Sequence, residues 1–337
     1  MYMYLLPRAE SAKDGGSTSV APPTAQSKDS GRGSHSIETF KFDFAQDTLD
    51  SMKGSSILDQ FQKDGFVVLE NFLTEDEVKE LRQAGEALAT DMPDSVPIGQ
   101  FSTVDNLPQN KDRYFLESGD KIRYFLETGA VGTDGKLTIE KRRALNKVGH
   151  ALHWLHPKFK EITFSNKIKE VCFKLGMEEP AIAQSMYIYK NPGVGSEVCA
   201  HQDATFLYTE PMKLVGLWFP LDDATLQNGC LKFAPGSHGS GVHRRYVRKN
   251  DPNSEELVGY TSPAPMYPQS NFVPVPVAKG SCVLIHGQVV HQSDPNRSSE
   301  PRHAYTFHVI DKKNSVYSPE NWLQPTEELP FPLLFDN

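Results

Sequence analysis

The second half of the chain has the pattern that most constrains its fold. After Pro180, short segments rich in β-branched and aromatic residues alternate with turn residues. This pattern is typical of an all-β sandwich or barrel. Strands are predicted at six places: Ile182 to Tyr189, around His201 to Tyr208, Val215 to Pro220, Cys230 to Ala234, Ser281 to His291 and Arg302 to Ile310. The pair Asn228-Gly229 supplies a tight turn before the fourth of them.

The first half carries helical signals instead. Thr74 and Glu77 match a capping box, and apolar residues follow them at helical spacing. A second helix is predicted from Thr138 to Trp154, and a third from a cap at Ser165 to Gly176. Helices first and strands later predict an α+β fold that is mainly β. We expect the N-terminal helices to flank a double-stranded β-helix, the jelly-roll or cupin-like core.

The N-terminus is predicted to be a disordered tail. The stretch from Ser11 to Ser36 is rich in Ser, Gly, Pro and Lys and has no aromatic residue. It therefore cannot bury enough apolar surface to offset the entropy that ordering would cost. We divide the chain into a tail, residues 1–50, and a single domain, residues 51–337. A polar stretch from Ser240 to Asn271 is too long for a hairpin loop and is predicted to be a lid or a disordered excursion.

Composition and charge exclude several classes of protein. The 337 residues are 38% hydrophobic and 23% charged, with a formal net charge of -8, which is ordinary for a soluble enzyme. The acidic surplus argues against a general nucleic-acid binder, and no apolar run approaches the ~20 residues that span a bilayer. Four cysteines without CxxC spacing predict neither a zinc knuckle nor a disulfide framework. We expect a monomer by default, in the cytoplasm, because the C-terminus is not a peroxisomal address.

One tripeptide in the β-rich half has the spacing of a metal site. His201 and Asp203 flank Gln202, and no other HxD or HxE occurs in the sequence. Residues two apart in a strand share a face, so this imidazole and this carboxylate can reach one ion. His291 ends another predicted strand and supplies a second imidazole. Two nitrogens and one carboxylate oxygen leave three positions of an octahedron open, as in non-heme Fe(II) oxygenases.

Arg302 follows the second histidine, His291, by eleven residues. Arg302 lies beyond a Ser-Asp-Pro-Asn turn that follows His291, and a hairpin of this length would bring it to the metal's side of the barrel. Its planar guanidinium can bind a carboxylate through two parallel hydrogen bonds. 2-Oxoglutarate has such a carboxylate, distal to the groups that chelate iron. The alternative interpretation of Arg302 is a surface ion pair.

These residues belong to a longer pattern, HQD…W…NGCLKFAPGSH…H…R, which resembles the phytanoyl-CoA dioxygenase family of Fe(II)/2-oxoglutarate oxygenases. The likeness runs from about Asp59 to Phe331. It implies that catalysis uses an iron bound by three residues: His201, Asp203 and His291. It implies that Arg302 binds the distal carboxylate of 2-oxoglutarate and that four residues line the co-substrate pocket: Lys147, Met186, Gln202 and Trp218. From the sequence alone, Lys147 would be a solvated charge on the predicted helix, and Met186 and Trp218 would be core residues.

The resemblance implies a dioxygenase that uses Fe(II), 2-oxoglutarate and dioxygen. It would couple oxidative decarboxylation of 2-oxoglutarate to hydroxylation of a small-molecule substrate, such as an acyl-CoA or another carboxylate. A halogenase would need a small residue in place of Asp203. Two other functions stay open. One is a non-catalytic sensor that binds iron or 2-oxoglutarate, and the other is a cupin-type metal isomerase, which would have no use for Arg302 or Lys147.

Other polar clusters receive plainer interpretations. His150, His153 and His156 are interpreted as surface histidines, because no carboxylate or cysteine completes a metal site with them. His286 lies five residues before His291, on the opposite strand face, and is predicted to be structural. The basic segment from Val242 to Lys249 is interpreted first as a solvated loop and second as a receiver of an anionic substrate.

Overall fold

The structure is a computed structural model that describes residues 37–41, 56–97, 100–103, 108–251 and 253–337. The predicted tail from Ser11 to Ser36 lies outside the described residues. Six α-helices occur within the described ranges: Ser56–Asp64 (α1), Glu75–Thr90 (α2), Arg113–Leu116 (α3), Leu152–Leu155 (α4), Pro157–Thr163 (α5) and Asn166–Lys174 (α6). None of these helices is long and apolar enough to cross a membrane.

Strands make up most of the regular structure. The described part of the chain has seventeen: Thr39–Lys41 (β1), Phe66–Glu70 (β2), Gln100–Phe101 (β3), Ile122–Glu127 (β4), Leu145–His150 (β5), Pro180–Ile188 (β6), Val198–His201 (β7), Thr209–Glu210 (β8), Leu214–Pro220 (β9), Leu231–Phe233 (β10), Tyr246–Arg248 (β11), Val258–Tyr260 (β12), Val273–Val275 (β13), Cys282–His286 (β14), His291–Ser293 (β15), Ala304–Asp311 (β16) and Val316–Tyr317 (β17). The fold is therefore mixed α and β and mainly β, as predicted.

Two sheets form the body of the domain. The larger has nine strands in the order β1-β2-β14-β9-β16-β6-β5-β4-β3, and the smaller has four in the order β13-β10-β15-β7. Their inward side chains pack into one apolar cluster, in which Phe66 of β2 stacks on Phe233 of β10 with ring centroids 4.1 Å apart. Two sheets facing each other over a shared core are the jelly-roll arrangement.

Strand β14 is apolar on both faces because both faces are buried. Val283 and Ile285 belong to the cluster between the two sheets. Cys282 and Leu284 belong to a second cluster, which includes residues of α2, α5 and α6 such as Leu81. The helices therefore cover the outer face of the nine-stranded sheet, and the alternation of side chains in β14 separates the two cores.

Several local predictions are confirmed. Helix α2 begins with the predicted capping box, in which the Glu77 amide donates to Thr74 Oγ1 at 3.2 Å and the Thr74 amide donates to Glu77 Oε2 at 2.7 Å. Helix α6 follows Ser165, although the Ser165 side chain makes no capping hydrogen bond. The predicted strand from Val215 to Pro220 lies within β9. These elements depend on local sequence signals and were therefore predictable.

The predicted helix from Thr138 to Trp154 is wrong. This region contains a short 3-10 helix, Lys141–Ala144, then β5 and the single turn of α4. Leu145 and Val148 are spaced three apart, which fits a helix as well as an irregular strand over so short a window. Strand β5 pairs with β4 on one side and β6 on the other. Pairing along both edges outweighs local helical preference, so Lys147 lies on a strand rather than a helix.

Other boundaries also need correction. Thr39–Lys41, within the predicted tail, pairs in parallel with β2. The predicted strand from Ser281 to His291 is two strands, β14 and β15, which belong to different sheets. The stretch from Ser240 to Asn271 contains β11 and β12, which form an antiparallel pair with Tyr246 opposite Tyr260. This stretch is therefore at least partly an ordered two-stranded sheet.

Gly85 allows α2 to approach the sheet closely, and this contact gives a test of the packing. A Cβ atom at Gly85 would overlap the ring of Tyr187, which is fully buried and bonds His303 through its hydroxyl at 2.8 Å. Gly85→Ala should gain about 1 kcal/mol of helix propensity but lose about 1–3 kcal/mol to overpacking. We therefore expect a net loss of stability, measured by chemical denaturation.

Gly129→Ala is the matched control for this substitution. A Cβ atom at Gly129 meets no atom of the described residues within 4 Å, so the unfolding free energy of Gly129→Ala should stay within about 0.5 kcal/mol of the parent. If Gly85→Ala stabilised the protein, the close approach of α2 to the sheet would be contradicted.

Candidate metal centre

Two histidines face each other across neighbouring strands. His201 at the end of β7 lies directly opposite His291 at the start of β15, with ring centroids 4.3 Å apart. The Nδ1 atom of His201 is 2.8 Å from the carbonyl oxygen of Cys199, and that of His291 is 3.1 Å from the carbonyl oxygen of Val289. Carbonyl oxygens only accept, so both Nδ1 atoms carry the proton and both Nε2 lone pairs are available. This is the arrangement of metal-binding histidines.

A carboxylate completes the group. Asp203 Oδ1 lies 3.7 Å from the Nε2 atom of His201 and 3.7 Å from that of His291. Among the described residues, His201, Asp203 and His291 form a group whose potential ligand atoms all lie within 4.8 Å of one another. We call these three side chains the metal group. Burial lowers the pKa of His201 to about 4, which leaves it neutral and able to bind a metal at neutral pH.

The path of the chain between the ligands differs from the prediction. Strand β7 ends at His201, and Asp203 begins a short 3-10 helix, Asp203–Thr205. The Asp203 carbonyl accepts the amides of Phe206 at 2.9 Å and Leu207 at 3.1 Å. The carboxylate is therefore oriented by this turn and not by strand alternation, although its predicted association with His201 and His291 is present.

His308 of β16 is a neighbour of this group that the sequence analysis missed. Its Nε2 atom lies 3.3 Å from Asp203 Oδ2, the carboxylate oxygen that does not face the other histidines. The amide nitrogen of Gln184 lies 3.3 Å from His308 Nδ1. A donor at Nδ1 leaves the proton on Nε2, which faces Asp203. Thr306 and His308 are two residues apart in β16 and both line the cavity, so strand alternation could have indicated that His308 faces the site.

The ionisation of Asp203 follows from these neighbours. Burial opposes the charged form, but the adjacent imidazoles, His308 and His291 first, hold the pKa of Asp203 well below its usual value. The carboxylate is therefore ionised at any pH at which the fold is expected to work, as a metal ligand must be.

Arg302 is buried in the same cavity, and some of its hydrogen-bond donors have no partner among the described residues. Its side chain is 2% exposed, and its guanidinium carbon lies 5.3 Å from the ring centre of Trp218. Nη2 is 3.4 Å from Ser293 Oγ, whereas Nε and Nη1 have no hydrogen-bond partner in the described part of the protein. Burial lowers the pKa of Arg302 to about 10, so the group remains charged at neutral pH. A buried cation with unpaired donors suits a ligand carboxylate.

Lys147 and Met186 lie together on the wall of the cavity. Their strands, β5 and β6, are neighbours in the sheet, and Lys147 Nζ is 3.5 Å from the sulfur of Met186. The same ammonium group lies 4.1 Å from the ring centre of Phe101 and forms no ion pair with any described carboxylate. Burial lowers the pKa of Lys147 to about 7. The expectation of a solvated helical charge is therefore wrong.

Gln202 does not line the cavity within the described structure. Its amide nitrogen donates to the carbonyl oxygens of Gly241 at 2.8 Å and Gln288 at 2.7 Å. Its Oε1 accepts the amide of His243 at 2.8 Å. The side chain therefore points away from Asp203 and holds the segment that follows Ser237–Ser240. The predicted contact of Gln202 with the co-substrate is not supported by this geometry.

A single cavity of about 210 Å³ contains the metal group and most of the predicted binding residues. His201, Asp203 and His291 line it together with four of the predicted binding residues: Lys147, Met186, Trp218 and Arg302. Apolar rings form much of its remaining wall, among them Phe115, Tyr246 and Trp322. The cavity is larger than the metal group alone requires, so it has room for further ligands.

The prediction of surface histidines fails for His150 and His153, which are 0% and 1% exposed. His150 lines the cavity. Its Nδ1 lies 2.7 Å from the hydroxyl of Ser118, which itself donates to the carbonyl oxygen of Phe115. Nδ1 must therefore be the donor, and Nε2 is left as an unpartnered acceptor. His286 contacts Phe61 and is not among the residues that line the described cavity.

Solved structures support the fold class. The chain aligns with the epimerase SnoN in complex with Fe3+, alpha ketoglutarate and nogalamycin RO at a TM-score of 0.55, with 16% identity, over 85% of this chain and 99% of SnoN. It aligns with EctD from S. alaskensis with 2-oxoglutarate and 5-hydroxyectoine at a TM-score of 0.53, with 19% identity, over 84% of this chain and 86% of EctD. The chain therefore shares the fold of these two structures.

The sequence comparisons place the chain in one family. The family model of phytanoyl-CoA dioxygenase (PhyH) matches residues 61–304. The chain is 46% identical over 281 residues to phytanoyl-CoA dioxygenase domain-containing protein 1 homolog of Caenorhabditis elegans, covering 82% of this chain and 98% of the relative. It is 47% identical over 283 residues to phytanoyl-CoA dioxygenase domain-containing protein 1 of Danio rerio, covering 82% and 96%. The protein belongs to the phytanoyl-CoA dioxygenase family.

The contact between His308 and Asp203 gives a test of the metal centre. In His308→Phe, Asp203 Oδ2 loses its imidazole neighbour, and the carboxylate is less firmly oriented. Loss of such a partner costs about ten- to hundredfold in metal affinity. We expect a weakening of this size when Fe(II) is titrated anaerobically into the variant.

His303→Phe is the control for this test. His303 is also buried, but it bonds the hydroxyl of Tyr187 at 2.8 Å and is not among the residues of the described cavity. This variant should lose stability while keeping the Fe(II) affinity of the parent. Equal Fe(II) affinities in both variants would show that His308 does not support the metal ligand.

Proposed function

We propose that this protein is an Fe(II)- and 2-oxoglutarate-dependent dioxygenase that hydroxylates a small-molecule substrate. The observation that carries the proposal is one cavity that contains both a His-Asp-His group and the buried, incompletely paired Arg302. A metal site alone would suit many reactions. A buried arginine beside it adds a site for an organic acid.

The residues present fit iron. His201 and His291 each have Nδ1 bound to a main-chain carbonyl and Nε2 turned towards Asp203, and Asp203 offers an ionised oxygen. Two nitrogens and one carboxylate leave positions open for a co-substrate and dioxygen. When bound, iron would supply the activation of dioxygen and the oxidation of the substrate. The protein would fix the ligands and exclude water.

The cavity also fits 2-oxoglutarate. Arg302 would bind the distal carboxylate through Nε and Nη1, which have no partner among the described residues. The ring of Trp218 lies 5.3 Å from the guanidinium carbon. Lys147 lies on β5, which only β6 separates from β16 in the same sheet, and its amino group, 3.5 Å from the sulfur of Met186, would add a hydrogen-bond donor for the ligand. Both side chains are already buried before any ligand binds, so little reorganisation is needed.

The cavity favours an enzyme over a sensor. A protein that only binds iron and 2-oxoglutarate needs no space beyond these ligands, whereas this cavity continues along Phe115, Tyr246 and Trp322. That space suits a second organic ligand. A metal isomerase without a co-substrate would leave Arg302 as an uncompensated buried cation, and a halogenase would lack Asp203.

Arg302→Lys tests the role assigned to the arginine. Lysine keeps the positive charge but loses the planar fork, so the cost should be about 1–3 kcal/mol of 2-oxoglutarate binding. This corresponds to roughly a five- to hundredfold rise in the dissociation constant. Fe(II) affinity should stay close to that of the parent. Separate anaerobic titrations of Fe(II) and 2-oxoglutarate measure the two quantities.

Arg297→Lys serves as the control, because Arg297 is exposed and should change neither affinity. An unchanged 2-oxoglutarate affinity in Arg302→Lys would refute the assignment. A parallel loss of Fe(II) affinity would mean that Arg302 supports the metal site instead.

A further inference from the structure

The basic segment from Val242 to Lys249 is divided by the structure into paired and unpaired cations. Arg245 forms an ion pair with Glu320 at 2.9 Å, and Lys249 forms one with Glu256. Arg248 Nε donates to the carbonyl oxygen of Trp322 at 2.9 Å. Only Arg244 of these four lines the cavity, and no carboxylate of the described residues pairs with it. The guanidinium carbon of Arg244 lies 3.7 Å from the ring centre of Tyr260.

Gln202 fixes Arg244 relative to the metal group. The side chain of Gln202 binds the main chain on the N-terminal side of Arg244, at Gly241 and His243. Gln202 is itself flanked by the metal-group residues His201 and Asp203. Both the nitrogen and the oxygen of the Gln202 amide bond this segment. They tie it to the tripeptide His201-Gln202-Asp203, so Arg244 is held at the cavity rather than released into solvent.

A continuous aromatic wall connects the metal group to Arg244. The ring of Phe206 lies edge-on to His201, with centroids 5.9 Å apart. Phe206 also contacts Tyr246 at 5.7 Å and Tyr260 at 6.4 Å, and Tyr260 lies under Arg244. A ligand that reached from Arg244 towards the metal would therefore pack its apolar part against these rings.

Among the described residues that line the cavity, no carboxylate pairs with Arg244. The acidic residues in this described lining are Asp203, in the metal group, and Glu127, which is next to Lys190 within a buried polar network. In the proposed function, Arg302 takes the distal carboxylate of 2-oxoglutarate, and the other carboxylate faces the metal. With Arg302 occupied in this way, the electrostatic potential at Arg244 favours the binding of a second anion.

We propose that Arg244 is the anion-binding residue of the substrate subsite, and that the substrate is a small organic anion. Its carboxylate or phosphate group would pair with the planar guanidinium, and its compact apolar body would lie on Phe206, Tyr246 and Tyr260. This assignment rests on the proposed function, because it takes the metal and 2-oxoglutarate as the other occupants of the cavity.

Binding of simple aromatic probes tests the subsite. Protein saturated with Fe(II) and 2-oxoglutarate under anaerobic conditions is titrated with benzoate, phenyl phosphate and the neutral benzamide. The parent should bind at least one of the two anions more tightly than benzamide, and the tighter anion identifies the preferred headgroup. Arg244→Gln should weaken binding of that anion by roughly ten- to hundredfold, the value of a charge-assisted hydrogen bond, and should leave benzamide binding unchanged.

Lys249→Gln is the matched control, because Lys249 belongs to the same basic segment but pairs with Glu256. It should bind the anions as the parent does. Three results would overturn the inference: no anion binding, equal binding of anions and benzamide, or equal losses in Arg244→Gln and Lys249→Gln. The affinities for Fe(II) and 2-oxoglutarate are measured in the same samples. If the parent binds both and only the anion results fail, the substrate assignment fails while the proposed function stands.

Discussion

The antiparallel pairing of β7 with β15 is the interaction around which the site is arranged. It sets His201 opposite His291, and main-chain carbonyls hold both rings with Nε2 towards the cavity. Both histidines come from the smaller sheet, whereas His308 beside Asp203 comes from the larger one. The apolar core between the sheets therefore holds the two halves of the centre at a fixed separation. A metal held by this group would depend on that core as much as on its ligands.

The cavity holds basic side chains that no carboxylate of the described residues pairs with. Arg302 lies beside the ring of Trp218, and Lys147 lies beside the ring of Phe101 and the sulfur of Met186. Burial lowers the pKa of both groups. Groups of this kind reduce stability until a ligand completes them. In the proposed function an anionic co-substrate completes Arg302, and in the further inference an anionic substrate completes Arg244 in the same way.

Much of the fold and the metal group could be predicted because local signals determine them. Strand β9 and helix α2 follow from composition and capping, and the tripeptide around Gln202 indicates two members of the candidate metal group because no other HxD or HxE occurs in the sequence. No local pattern indicates that Lys147 lies on a strand, because pairing with β4 and β6 decides it. The outward direction of Gln202 and the contact of His308 with Asp203 depend on turns and sheet packing. The sequence also does not show that Arg245 pairs with Glu320, far along the chain, while Arg244 lines the cavity.

In the proposed function, iron bound in this cavity drives the oxidative decarboxylation of 2-oxoglutarate. The direct assay is release of labelled carbon dioxide from 2-oxoglutarate labelled at its first carbon, with enzyme in excess over the co-substrate. We expect the parent to release label only when both Fe(II) and dioxygen are present, and Asp203→Ala to release none even when Fe(II) is abundant. Equal release by the parent and Asp203→Ala would contradict the metal assignment. No release from a parent that binds both Fe(II) and 2-oxoglutarate would contradict the enzyme and favour a sensor.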